Sequence, residues 1–250
     1  MKMTRIAAAA VLLTIPSIAS AGMPYVGVDF GLSSGRSNDL DEFVNYTVDS
    51  GTSPTDVAYD DVFAAEYHHG VDFDVVAGYD FGILRLEGEL GHKRSSLGKA
   101  IDDDITGQFL SEVNDTIGLA GTAGEVGVGD FQPSGSLKVN TVTANALLEV
   151  GLGHGITVSG GGGLGQSFAR GFGGHDSAGT WQYIFGARYA LNKKVDLGLK
   201  YKYFNSGFLS LEGDPETFVG ANGVDALIKP SMHGRFRSRN LQLSMVYNFR

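Results

Sequence analysis

Leu241, Leu243, Met245, Tyr247 and Phe249 alternate with Gln242, Ser244, Val246 and Asn248 at the end of this chain. Alternation with a period of two sets one face of a β-strand against an apolar medium and the other against a wetter one. The pattern recurs upstream. Residues 25–32 place Val26, Val28, Phe30 and Leu32 on one face, with Tyr25, Gly27, Asp29 and Gly31 on the other. Residues 69–79 set Val71, Phe73, Val75, Ala77 and Tyr79 against Asp72, Asp74 and Gly78. Residues 83–93 set Leu84, Leu86, Gly88 and Leu90 against Arg85, Glu87, Glu89 and Gly91. Asp80-Phe81-Gly82 makes a hairpin of the last two. Further strands are expected over 139–148 (Val142, Ala144, Ala146 and Leu148 outward), glycine-rich 156–168, 181–191 and 195–204, making eight in all.

The connections alternate in length. Turns around Asp80, Val150 and Asn192 are short, whereas 33–68, 94–138, 170–180 and 205–235 are longer and rich in Asp, Gly, Ser and Thr. An even number of alternating strands, short turns at one end and long loops at the other is how a bacterial outer-membrane barrel is organised. The chain start agrees. Lys2 and Arg5 precede an apolar run from Ile6 to Ile15, and Ala19-Ser20-Ala21 has the small-x-small form of a signal-peptidase site. Residues 1–21 are expected to be a signal peptide cleaved near Ala21, and 22–250 the barrel domain. No Cys exists to carry a lipid, a disulfide or a thiolate-bound metal. A mean hydropathy of −0.01 does not oppose a membrane location, because only alternate strand residues need face lipid.

Gly78-Tyr79-Asp80-Phe81-Gly82 followed by Arg85-Leu86-Glu87-Gly88-Glu89-Leu90, and later Phe185-Gly186-Ala187-Arg188-Tyr189 with Tyr201-Lys202-Tyr203-Phe204, resembles the opacity-type surface antigens. These are related in fold to the membrane domain of OmpA and to OmpX. The resemblance implies an all-β, transmembrane, eight-stranded antiparallel up-and-down barrel with short periplasmic turns and four long extracellular loops. It also implies a porin-family-like surface antigen of the Gram-negative outer membrane, in contact with outer-membrane lipid and lipopolysaccharide. The final aromatic strand is similar to the signal read by the barrel-assembly machinery, although Arg250 follows the aromatic. No periplasmic anchoring role is expected.

Formal charge is −9, and loss of Lys2 and Arg5 with the signal peptide would leave −11. That surplus of acids argues against a nucleic-acid partner. The inward set carries both signs: Asp29, Asp72, Asp74, Arg85, Glu87, Glu89, Arg188, Asp196, Lys200 and Lys202. Side chains fill an eight-stranded lumen, so these charges are expected to pair, and Arg188→Ala to cost ~3 kcal/mol or more. Lys93 and Arg94 at the outer end of one strand, with Arg235, Arg237 and Arg239 entering the last, are placed to meet lipopolysaccharide phosphates.

Other chemistry is thin. Glu66, His68 and His69 offer metal-type ligands, yet adjacent histidines on a strand point to opposite faces. Gly160 to Gly163 lacks the Lys-Ser or Lys-Thr of a phosphate loop. Asp102-Asp103-Asp104 suits a hard cation or, more simply, a solvated loop or helix start. Ser231 with His233 is the nearest approach to a hydrolytic pair, and its loop position tells against it. No catalytic residue, metal or cofactor is expected. The expected function is a non-enzymatic surface barrel acting through its outer loops, in adhesion, interaction or envelope integrity, on an extracellular partner the sequence does not specify. A narrow pore and a soluble periplasmic lipocalin-like barrel are the alternatives. The aromatic side chains at strand ends oppose the second.

Overall fold

A computed structural model describes residues 22–35, 43–49, 57–59, 63–101, 103–127, 136–171, 173–212, 214–228 and 231–249. The expected signal peptide, 1–21, lies outside the described residues. Eight long strands close into a ring: β1 (Met23–Gly35), β4 (Phe63–Asp80), β5 (Leu84–Ile101), β6 (Ser136–Gly153), β7 (Ile156–Gly171), β8 (Gly174–Ala190), β9 (Val195–Glu212) and β12 (Ser231–Asn248). Each pairs antiparallel with its neighbour, and β1 pairs with β12, so the ring has no free edge. Val26, Val28, Phe30, Leu90, Leu164, Phe185 and Leu243 are exposed on the outside, while Asp29, Asp74, Glu89 and Lys202 are buried within. That facing is the inverse of a soluble lipocalin, whose apolar side is inside, and it rules that arrangement out. No described helix is long and apolar enough to cross a membrane; the strands do the crossing.

The short turns follow from local chemistry. Gly82 N donates to Asp80 Oδ1 at 2.7 Å, and Gly82 sits at φ +95°, which only glycine adopts cheaply. At the β8–β9 turn, Asn192 Oδ1 accepts from the amides of Lys194 and Val195 at 2.8 and 3.0 Å. The turn expected near Val150 comes later, at His154-Gly155, because β6 continues to Gly153. Aromatic pairs mark both ends of the apolar band. Tyr79–Phe81 (4.6 Å) and Tyr247–Phe249 (5.2 Å) lie at the short-turn end, and Trp181–Tyr203 (5.5 Å) at the other.

Most of the strands outrun the sequence expectation at the loop end. β5 continues to Ile101 rather than 93, and β9 to Glu212 rather than 204. Residues 170–171 and 174–180, expected within a loop, belong to β7 and β8 and pair with one another or with the facing strand, Gly171 lying opposite Gly174. Two irregularities bend this outer part. His68 and His69 lie at a register shift between Tyr67 and Gly70. A second shift, at Ser206–Gly207 opposite Phe236, switches the inward parity of β9 from Lys202 and Phe204 to Leu209 and Leu211.

The remaining connections fold. β2 (Phe43–Asp49) and β3 (Val57–Tyr59) come from the first loop, α1 (Asp103–Ile117) from the second, β10 (Glu216–Val219) and β11 (Asp225–Ile228) from the fourth. β2 joins β12, β11 joins β2 and β10 joins β11, so a small sheet grows from the rim of the barrel.

Candidate functional site in the lumen and the outer cap

The lumen is built in layers by strand parity. Nearest the short turns, Arg188 reaches Asp80 (2.9 Å), Asp196 (3.6 Å) and Glu149, and Arg85 reaches Glu149 (3.3 Å) and Glu87 (3.6 Å). The Arg85 guanidinium also stacks 3.7 Å from the Tyr25 ring, whose hydroxyl donates to Glu87. Above this, Lys200 pairs with Asp29 at 2.7 Å, and Lys202 bridges Asp74 and Glu89 at 2.5 and 2.8 Å. Gln182, Asn145 and Gln242 donate to the same carboxylates, Glu87, Glu89 and Asp74. Desolvated charges persist only when paired, and here each charge has an opposite partner in a network that draws on seven of the eight strands.

All ten charges named for the lumen thus face inward; nine pair within the set, and Asp72 pairs with Lys93. Reasoning from sequence missed three more. Glu149 and Asp80 complete the cluster at the short-turn end. Lys93, expected at the rim facing lipid phosphates, is instead fully buried, 2.7 Å from Asp72 and 3.6 Å from Asp74. The reason is parity: Lys93 shares the face of Arg85, Glu87 and Glu89. Of the other rim cations, Arg94, Arg235 and Arg239 are exposed on the outer face, and Arg237 is partly covered.

Toward the loops the lumen becomes apolar. Leu137, Val139, Ala169, Ala178, Phe204, Leu209, Leu211, Met232 and Phe236 form one buried cluster, and Lys93 Nζ lies 5.0 Å from the Phe204 ring where the two regions meet. Beyond it stands the cap. Phe109, Val113 and Ile117 recur every fourth residue along α1 and pack with Val126, Ala226 and Ile228 as a second core. Asn114 clamps Val126 from both sides, donating to its carbonyl at 2.9 Å and accepting from its amide at 2.8 Å. The β10–β11 turn closes the end of α1: Ala221 N donates to the Ile117 carbonyl and Asn222 Nδ2 to that of Thr116, both at 3.0 Å.

The other candidate residues do not assemble. Ser231 and His233 belong to β12 rather than a loop, and the His233 ring stacks on Phe208 at 6.4 Å. Asp102 and the side chains of Asp103, Asp104, Glu66, His68 and His69 lie outside the described residues. Among the described residues no group of His, Asp or Glu could hold a metal ion. Gly160 to Gly163 lies within β7, where Gly161 passes close to the β6 backbone.

A closed ring of eight antiparallel strands, apolar outside and charged inside, is matched in sequence as well. The model of the outer membrane protein beta-barrel domain fits residues 6–249. The chain belongs to that family. Membership places it in the outer membrane of a Gram-negative cell. No curated protein is similar enough to count as a relative. Among solved structures, Neisserial surface protein A shares 14% identity over 92% of this chain and 100% of its own, with a TM-score of 0.45. Ail, the attachment invasion locus protein of Yersinia pestis, shares 14% over 86% of this chain and 99% of its own, TM-score 0.32. The outer membrane protease OmpT of Escherichia coli shares 9% over 91% and 97%, TM-score 0.39.

Proposed function

We propose that this outer-membrane barrel is a closed, non-enzymatic display scaffold whose outer cap is its working part, engaging partners outside the cell. The observation that carries the reading is the cap's own core, which two separate connections supply through α1, Val126 and β11, with β2 of a third connection paired to β11, on top of strands that run past the apolar band. Connections that only had to link strands could remain short, and long loops that fold are commonly functional. The lumen supports the scaffold role, since ion pairs and an apolar cluster fill successive layers. On this reading the chain is exported by residues 1–21, cut near Ala21 and inserted by the barrel-assembly machinery through its last strand.

Exchange of 214–228 for a short Gly-Ser linker removes β10 and β11. Cells displaying the exchanged protein should lose adhesion to an epithelial monolayer relative to cells displaying the intact chain at equal surface density. Equal adhesion would assign the function elsewhere. The purified barrel should also give no stepwise conductance in a planar bilayer; regular single-channel steps would favour the pore.

A further inference from the structure

Sequence register brings four basic side chains into one line on the outside of the barrel. Arg94 of β5 stands directly opposite Lys138 of β6, Lys138 opposite Arg170 of β7, and Arg170 opposite His175 of β8. All four are exposed on the outer face. Neighbouring strands lie ~4.8 Å apart, so the row spans about 15 Å. Like charges directly opposite one another on a sheet are destabilising. Three described carboxylates stand at the His175 end of the row: Asp176, Glu212, whose backbone packs on Gly174, and Asp214, whose Oδ2 would lie 3.3 Å from a Cβ on Gly173. The Asp176 oxygens accept from the backbone amides of Ser177 and Ser210, both at 2.7 Å. A cleft of about 660 Å³ opens over Lys138, Arg170 and His175, with Asn140 and Phe168 in its floor.

The height of the row identifies what meets it. Below Lys138 on the same face of β6 come Asn140, then Val142, Ala144, Ala146 and Leu148; below Arg170 on β7 come Phe168 and, further down, Leu164. The row therefore sits just outside the apolar band, level with lipid headgroups on the loop side. By contrast Arg235, Arg237 and Arg239, on the far side of the barrel, follow one another along the outward face of a single strand, and Arg239 stands opposite Tyr203 and Ser34 on the neighbouring ones.

We propose that Arg94, Lys138, Arg170 and His175 form a binding row for the phosphorylated headgroup of an outer-leaflet lipid, the phosphates bridging side chains that otherwise repel one another. The inference rests on the outer-membrane placement of the barrel but not on any role of the cap. Guanidinium and ammonium groups make charge-assisted hydrogen bonds to phosphate oxygens, and Arg can do so in bidentate fashion.

The test uses the full folded chain in a zwitterionic detergent, titrated with bisphosphorylated lipid A, with the same lipid lacking phosphates, and with inorganic phosphate. K138A/R170A should bind lipid A about a hundredfold more weakly than the unaltered chain, about tenfold per cation, while K193A in a periplasmic turn should bind as the parent does. The dephosphorylated lipid should bind parent and variant alike. Without lipid, K138A/R170A should melt at the parent's temperature or above it, since a repulsion has gone. K138Q alone, which keeps the length of the side chain, should give the single tenfold step. Equal lipid A affinity of parent and variants would overturn the proposal, as would undiminished binding of the dephosphorylated lipid. Binding of inorganic phosphate alone as tight as that of lipid A would also overturn it, because the site would then be for a free anion. Heat-dependent gel mobility of each sample reports folding separately, so failure of the barrel reading itself is seen first in the parent.

Discussion

Lys202 has no contact with water, and its Nζ lies between Asp74 and Glu89. Lys202→Met leaves two carboxylates facing one another across a desolvated lumen, and removing one partner from a buried ion cluster costs about 3–5 kcal/mol. Urea unfolding of the folded barrel in detergent should show a loss of that size, partly restored by adding Asp74→Asn. Arg188 stands in a different setting. The sequence alone suggests a cost of ~3 kcal/mol or more for Arg188→Ala, but the side chain is 18% exposed at the short-turn end, and Glu149 keeps Arg85 as a partner. Water reaches part of what is left, so the expected cost falls to about 1–2 kcal/mol. A larger loss at Arg188 than at Lys202 would mean that the ion pairs nearest the periplasm hold the lumen together. Alternation alone indicated which charges turn inward, since a strand allows only two facings. Lys93 and Glu149 obey the same parity as their neighbours, but a charge near a strand end looks like a rim charge, which is how the sequence presents Lys93, and Glu149 falls just past the expected end of its strand. Which acid meets which base depends on stagger between strands, and no single strand records that.

β7 shows what an element needs from its neighbours. A Cβ placed on Gly161 would fall 2.0 Å from the carbonyl oxygen of Ala146 on β6, whereas one on Gly160 meets only the Phe185 ring at an ordinary 3.5 Å. Gly161→Ala should therefore prevent closure or lower the melting temperature by several degrees, and Gly160→Ala should leave it unchanged, as followed by loss of the heat-resistant gel band. Similar behaviour of the two would mean that flexibility, not close approach, is what β7's glycines provide. The helix makes the complementary point. Phe109→Ala should cost about 3–5 kcal/mol of cap stability by opening its core, increasing amide exchange across α1 while β4, β5 and β9 stay protected. The sequence signalled the membrane part of each strand well, because lipid on one side and charge on the other enforce strict alternation. Above the lipid that contrast ends. Arg94, Ser95 and Ser96 continue β5 with polar residues on both faces, so the strand continues without its signature. The spacing of Phe109, Val113 and Ile117 did mark a helix, hidden inside a segment rich in Asp, Gly and Thr.

For the whole molecule the decisive feature is that two stable units share strands. β12 carries the closing seam with β1 along most of its length, and beyond that seam it pairs with β2, three residues against three. β2 then carries β11, so a connection near the chain start and one near its end meet on top of the barrel. Contacts so distant in sequence left no local pattern to read. They nonetheless set the order in which the molecule should come apart. The lumen is tied by ion pairs among six strands and the cap by one small apolar core, so the cap should open alone. Protease applied to intact cells displaying the parent should leave 103–127 largely uncut, because α1 is packed against β11 and clamped through Asn114. With 214–228 replaced by a linker, Ala226 and Ile228 are gone, α1 loses its cover, and cleavage within 103–127 should rise at least tenfold. The unboiled barrel should keep its fast gel mobility in both proteins. Cleavage at equal rates in parent and variant would show that α1 does not need β11, and the cap would then be a set of independent loops. Loss of the heat-resistant band together with the cap would show instead that the rim sheet helps to close the barrel, making the display surface and the membrane anchor a single cooperative unit.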